Sequence, residues 1–577
     1  MRHSIATVSL SGRLEHKLAA AAGAGFDGIE LFDNDLVAST LSPREVAARC
    51  ADLGLAVELF QPVRDVEGVA PDGFGAVRRR FAAKLDVMEQ LGTSVVLCCS
   101  NASPDALDDP DLSAEQLAAL GDLAAERGVT IAYEALAWGR HVSRFAQSWD
   151  VVRRADHPSV TVAVDTFHLL ARGDGPEVLA GVPGDRIGFL QVADAPLLRT
   201  DLLEWSRHFR CFPGQGGLDV TGVVAATVAA GYDGPLSLEV FSDVVREAPP
   251  EVTARDARRS LIFLESELGE SAAPLPDRVD AAFVEVPAGH EDLLTALGFV
   301  EVGRHRSKPV TRWRNGAAEV VVNRAPTDTA LGVVVPSVPA VAARARALLW
   351  PEVDRSRGAG EAQLPGITSP SGLHVFVSAP DGADDWIGDF APTGTPPAGD
   401  WGGLDHLGVA VPEDRLNEEI GFLRTVLGMV PAAVEEFIEP RGRLRSRAVR
   451  PSAGDLRVVL NVEHAAGADR SGVTQVAFAC ADVRAAATAL RERGVPLLEV
   501  PGNYYVDLAA RFDLTDAEVD DLRRHGLFYD RSGGGELVHL YTEVLPTGFY
   551  VELLQREGGY DGYGSAGTHV RLAAQQH

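Results

Sequence analysis

Ile131-Ala132-Tyr133-Glu134-Ala135-Leu136-Ala137-Trp138 is a short apolar run of β type with a carboxylate near its C-terminal end. The pattern recurs downstream, where Val160-Thr161-Val162-Ala163-Val164-Asp165, Ile187-Gly188-Phe189-Leu190-Gln191 and Leu236-Ser237-Leu238-Glu239 each close on an oxygen-bearing side chain. If these strands are parallel neighbours in a barrel, the four tips meet at one mouth and could hold a divalent cation. A lone Glu or Asp at a strand end is more often a loop residue or a helix cap. Four on successive strands are harder to explain that way, because three converging carboxylates repel one another and raise their own pKa values unless a cation sits among them. All-oxygen coordination with one neutral amide points to a hard ion such as magnesium or manganese rather than zinc.

Upstream of this run the same texture is already present. Strand-like segments lie at Ser4–Ser9, Gly28–Phe32, Ala56–Phe60 and Ser94–Cys98, and alanine-rich stretches of helical spacing run over Arg13–Ala22, Pro43–Leu53, Phe74–Leu91 and Ala114–Arg127. Gly25, Gly54, Gly92 and Gly128 stand where left-handed helix caps belong, just ahead of the next strand. Eight β–α units in about 250 residues have the size and period of an α/β TIM barrel.

At 577 residues the chain is too long for one core, so two or three domains are expected. A net charge of −29 argues against a nucleic-acid surface and favours a cytoplasmic enzyme. The five cysteines, Cys50, Cys98, Cys99, Cys211 and Cys480, are odd in number and lack metal-ligand spacing, so reduced thiols are expected rather than a disulfide framework. The first ten residues are too short and polar for a signal peptide, and no apolar run approaches the roughly 18 residues of a spanning helix. No membrane partner is expected.

At the strand tips the chain resembles the xylose-isomerase-like barrels, and within them the bacterial 3-dehydroshikimate dehydratases. The likeness rests on Phe60-Gln61-Pro62-Val63-Arg64-Asp65-Val66-Glu67-Gly68, Tyr133–Gly139, Asp165-Thr166-Phe167-His168, Gln191-Val192-Ala193-Asp194 and Trp205–Gly216. It implies that Glu134, Asp165, Gln191 and Glu239 form a metal quartet for Mg2+, Mn2+ or Co2+. Such an ion would lower the pKa of a C–H beside a ketone and stabilise the resulting enediolate, from which hydroxide leaves to give protocatechuate, a step of quinate and shikimate degradation. An aldose–ketose isomerisation passes through the same kind of intermediate, so the quartet defines the reaction class better than the product. Arg64 and Arg210 are placed to meet a substrate carboxylate, which a neutral sugar would not need. His168 is expected to act as general base or to hydrogen-bond the substrate, with orientation of a metal ligand as the alternative. Ser206 is a further hydrogen-bonding candidate, and the Ala195–Gly217 segment suits a lid.

Residues 269–279, around Gly269-Glu270-Ser271-Ala272-Ala273-Pro274-Leu275-Pro276-Asp277, read as a linker between a barrel over 1–268 and a second domain over 280–577. A β-α-β-β-β module recurs there about four times, starting near Ala281, Gly332, Leu404 and Gly472. This α+β domain resembles the vicinal oxygen chelate superfamily, and specifically the 4-hydroxyphenylpyruvate dioxygenases, at Asp405-His406-Leu407-Gly408-Val409 and Gly548–Arg556. Pro501-Gly502-Asn503-Tyr504-Tyr505 and Gly562-Tyr563-Gly564 extend the likeness. It implies iron ligands at His406 and Glu552, but Gln475 stands where a second histidine belongs. Exchanging imidazole for an amide makes the trio harder and argues against oxygenase chemistry, so His406, Gln475 and Glu552 are expected to hold a second divalent cation, Mg2+. The alternative is a metal-free relic kept for stability or for assembly into a homo-oligomer.

Three functions follow. The leading one is a hydro-lyase acting on 3-dehydroshikimate, the second a sugar or keto-acid isomerase on the same barrel, and the third a metabolite-binding protein with two metal sites.

Overall fold

The computed structural model describes residues 1–269, 273–325, 329–354, 357–381, 385–396, 399–439, 442–463 and 472–576. The chain divides into two compact units, Met1–Ser271 and Ala272–His577. Residues 270–272 of the expected linker lie outside the described residues.

The first unit is a closed barrel of eight parallel strands in chain order. They are β1 (His3–Ala6), β2 (Gly28–Phe32), β3 (Ala56–Val63), β4 (Val95–Cys99), β5 (Thr130–Glu134), β6 (Val160–Asp165), β7 (Ile187–Val192) and β8 (Leu236–Leu238). All eight predicted strands are present. Gly25, Gly54, Gly92 and Gly128 all adopt positive φ, between 65° and 83°. The helix Pro71–Leu91 ends on Gly92 in the left-handed region, which a side chain would strain.

Period-two alternation sorts the strand residues into two layers. Ile29, Leu31, Phe60, Val96, Ile131, Tyr133, Val162, Val164 and Leu190 pack outward under the helices. Leu59, Leu97, Cys99, Ala132, Ala163 and Phe189 form an apolar plug inside the barrel. Two residues further along the same faces come Gln61, Glu134, Asp165 and Gln191, so strand register alone sets a polar layer on top of the plug. Gly188 is needed for this packing, because a Cβ there would lie 2.0 Å from the Thr161 hydroxyl.

The second unit holds two eight-stranded sheets. In the first, β9 (Asp280–Pro287), β10 (Val300–His305), β11 (Val310–Asn315) and β12 (Ala318–Asn323) make one module, with β9 parallel to β12. The next module keeps β13 (Ala330–Val334), β14 (Gly366–Thr368) and β15 (His374–Ser378). Where the module pattern calls for a further strand the described residues show an isolated bridge, Glu352 to Ile367, and β16 (Phe390–Pro392) pairs instead with β10 at the opposite edge. The second sheet is regular: β17 (Leu404–Ala410), β18 (Met429–Glu439), β19 (Gly442–Pro451), β20 (Val458–Glu463), then β21 (Gly472–Ala479), β22 (Phe528–Ser532), β23 (Gly535–Tyr541) and β24 (Tyr550–Glu557). Its two modules join through the antiparallel pair β17–β21. Among the described residues no helix is long and apolar enough to cross a membrane, and all five cysteines are buried free thiols.

Candidate functional site

Glu134 ends β5, Asp165 ends β6, Gln191 lies in β7 and Glu239 directly follows β8, and all four are buried. Ligand atoms of Glu134, Asp165 and His168 lie within 4.8 Å of one another. Asp165 is held by local chemistry. Its Oδ1 caps the helix Thr166–Ala171, accepting the amides of Phe167 (2.7 Å) and His168 (3.1 Å), which leaves Oδ2 for the site and puts His168 in the first turn.

Arg210 enters this cluster from the segment after β7. Its Nη1 donates to Asp165 Oδ2 (3.0 Å), Glu239 Oε2 (3.2 Å) and the Glu239 carbonyl (3.1 Å), and its Nη2 lies 3.1 Å from His168 Nε2. Ser206 Oγ accepts from Nη2 at 2.8 Å and from Nε at 3.2 Å. The guanidinium is therefore engaged by the protein rather than open to a substrate carboxylate, and Ser206 positions it. Arg64 differs. It is exposed at the mouth, lines the cavity of about 410 Å3 there, and its side chain makes no hydrogen bond among the described residues. The Ala195–Gly217 segment is built rather than a bare lid loop. It carries the helix Leu202–His208 and is tied at its base by paired Asp194–Cys211 backbone bonds of 2.8 and 2.9 Å.

The electrostatics record a shortage of positive charge. Burial first, then Asp165 and Glu239, push the Glu134 carboxyl up to about 8. Burial also raises Glu239. At Asp165 burial is outweighed by Arg210 and His168, so its pKa falls. Among the described residues Glu134 Oε1 and Gln191 Oε1 are buried without a hydrogen-bond partner. Two unpartnered oxygens beside three carboxylates fit a bound divalent cation. His168 is lowered to about 3, chiefly by burial, with Arg210 and Arg64 adding to the effect.

Sequence reading passed over the layer beneath. Glu30, in β2, accepts Nε2 of Gln61 (2.8 Å) and of Gln191 (2.7 Å) as well as the Ser237 hydroxyl. It thereby orients the Gln191 amide with its nitrogen inward and leaves the oxygen unpartnered. A carboxylate within the apolar strand Gly28–Phe32 was the available signal, the same one that marks Glu134. Cys99 was likewise missed, and its thiol donates to Glu134 Oε2 at 3.2 Å.

In the second sheet β17, β21 and β24 bring His406, Gln475 and Glu552 together. His406 Nε2 is 3.2 Å from Glu552 Oε2 and 3.1 Å from Gln475 Nε2, and Gln475 Nε2 also donates to Glu552. The Gln475 carbonyl accepts from Tyr550 (2.9 Å), and His406 Nδ1 is anchored by Asp405 (2.9 Å), which Arg556 grips through two nitrogens. His539, not singled out from sequence, sits 2.6 Å from Glu552 Oε1. As placed, the trio is closed on itself. Turning the Gln475 amide over, an isosteric exchange, would bring its oxygen beside the other two donors.

The fold and these sites define a class, a metal-binding type of barrel joined to a chelate-type domain. Residues 18–265 match the family model described as xylose isomerase-like TIM barrel, and residues 403–533 that of the glyoxalase/bleomycin resistance protein/dioxygenase superfamily. The chain is 41% identical to the 3-dehydroshikimate dehydratase of Pseudomonas putida, covering all of this chain and 98% of the relative. It is 42% identical to that of Pseudomonas aeruginosa over the same shares. A solved xylose isomerase-like TIM barrel/4-hydroxyphenylpyruvate dioxygenase fusion protein superposes with a TM-score of 0.90 at 40% identity, covering 100% of this chain and 99% of that one. The chain belongs to the 3-dehydroshikimate dehydratase family of hydro-lyases, in its two-domain form.

Proposed function

We propose that this chain dehydrates 3-dehydroshikimate to protocatechuate at the barrel mouth, with a divalent cation held by Glu134, Asp165, Gln191 and Glu239. The observation that carries the reading is the pair of buried, unpartnered oxygens on Glu134 and Gln191 inside an excess of carboxylates. A bound divalent ion supplies Lewis acidity at the substrate ketone. The protein's own groups do the rest. Arg64, exposed at the rim, takes the substrate carboxylate. His168 stays a neutral imidazole at neutral pH, since burial and the two donors facing its nitrogens, Ala137 N–H at 3.2 Å and Arg210, disfavour the imidazolium. It has the unprotonated form a proton acceptor needs, but the same groups make it a weak base, so it takes the proton removed beside the ketone only when its Nε2 is released from Arg210. Hydroxide then leaves the adjacent carbon, and water is the second product. Trp205 and Ser206, buried on the covering helix, help to exclude solvent.

His406, Gln475 and Glu552 would hold a second hard cation once the Gln475 amide presents its oxygen. A cytoplasmic setting agrees with five buried free thiols.

The test is direct. The metal-reconstituted full chain is incubated with 3-dehydroshikimate and the ultraviolet band of the aromatic product is followed. Turnover is expected for the native chain and abolished in Glu134→Ala, and full activity without Glu134 would reject the site.

A further inference from the structure

Arg207 lies in the covering helix Leu202–His208 and Arg64 directly follows β3, yet both line the outer cavity of about 410 Å3 at the barrel mouth. Both also line an inner pocket, which Glu134, His168 and Glu239 help to form. Among the described residues the Arg207 side chain makes no hydrogen bond or ion pair, and its guanidinium carbon lies 5.9 Å from the centre of the Trp138 ring. That ring also meets the His168 imidazole edge on, at 5.1 Å between centroids, so Arg207 belongs to the same wall as the group that takes the proton.

We propose that Arg207 binds the substrate carboxylate together with Arg64, each reaching it from a separate element; the inference rests on the dehydratase reading above. The charges of the outer cavity call for an anion. Arg64, Arg80, Lys84 and Arg207 line it against Asp33 and Asp65. Lys84 and Asp33 neutralise each other at 2.7 Å, and Arg80 directs its Nη2 to the backbone carbonyls of Arg64 and Asp65, at 2.8 and 3.0 Å. Three guanidiniums therefore remain against Asp65. The acids of the inner pocket that face Arg64, Glu134 and Glu239, are those assigned to the divalent cation. Around Arg207 itself, burial first and then Arg64 and Arg210 lower its pKa, with Glu239 opposing them and Arg246 adding to the effect. A carboxylate between Arg64 and Arg207 relieves that repulsion, and the planar fork of each guanidinium matches its two oxygens. Arg210 cannot serve in this way, being engaged by Asp165, Glu239 and Ser206. On a chain of net charge −29 a positive mouth also draws an anionic substrate inward.

The test assays the metal-reconstituted full chain with 3-dehydroshikimate and titrates it calorimetrically with benzoate and neutral benzamide, so that carboxylate binding is read without turnover. The native chain should bind benzoate in preference to benzamide. Arg207→Gln should raise KM about tenfold or more while kcat changes less than about threefold, the pattern of a lost binding contact, and should weaken benzoate about tenfold. Arg207→Lys should recover part of both losses, and because Arg207 is exposed both variants should keep the native far-ultraviolet dichroism. Arg246→Gln removes a neighbouring charge that lines neither cavity and should keep native values. Native KM and benzoate affinity in Arg207→Gln, equal losses in Arg246→Gln, a loss confined to kcat, or a native chain that binds no benzoate or binds benzamide as tightly would each overturn the proposal. A native chain that binds benzoate through Arg207 yet leaves 3-dehydroshikimate unchanged would reject the dehydratase reading and keep the carboxylate site.

Discussion

Replacing Arg210 with Met removes the guanidinium that pairs with Asp165 and Glu239, at 3.0 and 3.2 Å, in a site where all three side chains are buried. Met keeps an unbranched apolar stem as far as about the position of Arg210 Nε and drops the guanidinium, which lies 4.5 Å from the centre of the Phe167 ring. Removing one partner of a buried ion pair costs about 3–5 kcal/mol, because the remaining charge is left in a poor solvent. For a domain of this size each kcal/mol moves Tm by roughly 2–4 °C, so the metal-free barrel should melt about 6–20 °C below the native protein. A divalent cation at the same carboxylates restores positive charge, so loading with Mn2+ should raise Tm more in Arg210→Met than in the native chain. Differential scanning calorimetry of chelator-treated and Mn2+-loaded protein measures both quantities. A metal-free variant that melts within about 2 °C of native, below the cost of breaking such a pair, would refute the idea that Arg210 balances these carboxylates.

Glu552→Ala should leave dehydratase turnover largely intact, and its loss in a folded variant would reveal that the two halves are coupled. Glu30→Gln removes the carboxylate that orients the Gln61 and Gln191 amides. Titration of the metal into this variant should show affinity about 10–100-fold weaker, the usual effect of losing a group that orients a ligand. Glu419, buried with Ser369 and Ser371 as its donors among the described residues, has its pKa raised by burial to about 7. A raised folded-state pKa favours the protonated form, so its contribution is fully present below about pH 4.5 and is lost as pH rises through about 7. At about 1.4 kcal/mol per pH unit the loss amounts to ~3 kcal/mol. Melting of the second unit followed from pH 4.5 to 8 should decline in the native chain by that amount more than in Glu419→Gln, and parallel curves would refute it.

The barrel was legible because its signal is local. Each strand is a short apolar run, the helices ahead of β2 to β5 close on Gly25, Gly54, Gly92 and Gly128, and parity along the strand decides which side chain faces the interior. Glu134, Asp165, Gln191 and Glu239 could be found by that rule, and so could Glu30, whose strand obeys it equally. The place of Arg210 could not. It depends on how the Ala195–Gly217 segment folds back over the mouth, through the Asp194–Cys211 pairing and the helix Leu202–His208, neither of which has a period to read. The second module of the C-terminal unit resisted reading for a related reason. Pro351, Pro365 and Pro370 interrupt the stretch, and proline cannot donate to a ladder, so where the repeat predicts a strand only a bridge forms.

The two polar clusters differ in what they leave over, and this bears on how each depends on metal. In the barrel Arg210 faces three carboxylates, Arg64 adds its charge from the rim, and among the described residues two oxygens stay unpartnered, the imbalance on which the proposed cation rests. In the second sheet the charges close. Burial would raise Glu552, but His406 and His539 hold it down to about 2, while Asp405 and Glu552 overcome burial to raise His406. Gln475 supplies the neutral link, its amide reaching Glu552 and its carbonyl taking the Tyr550 hydroxyl. The Gln475 amide thus leaves the trio's own hydrogen bonds closed without an ion, although His539 Nε2 beside Glu552 stays buried and unpartnered among the described residues.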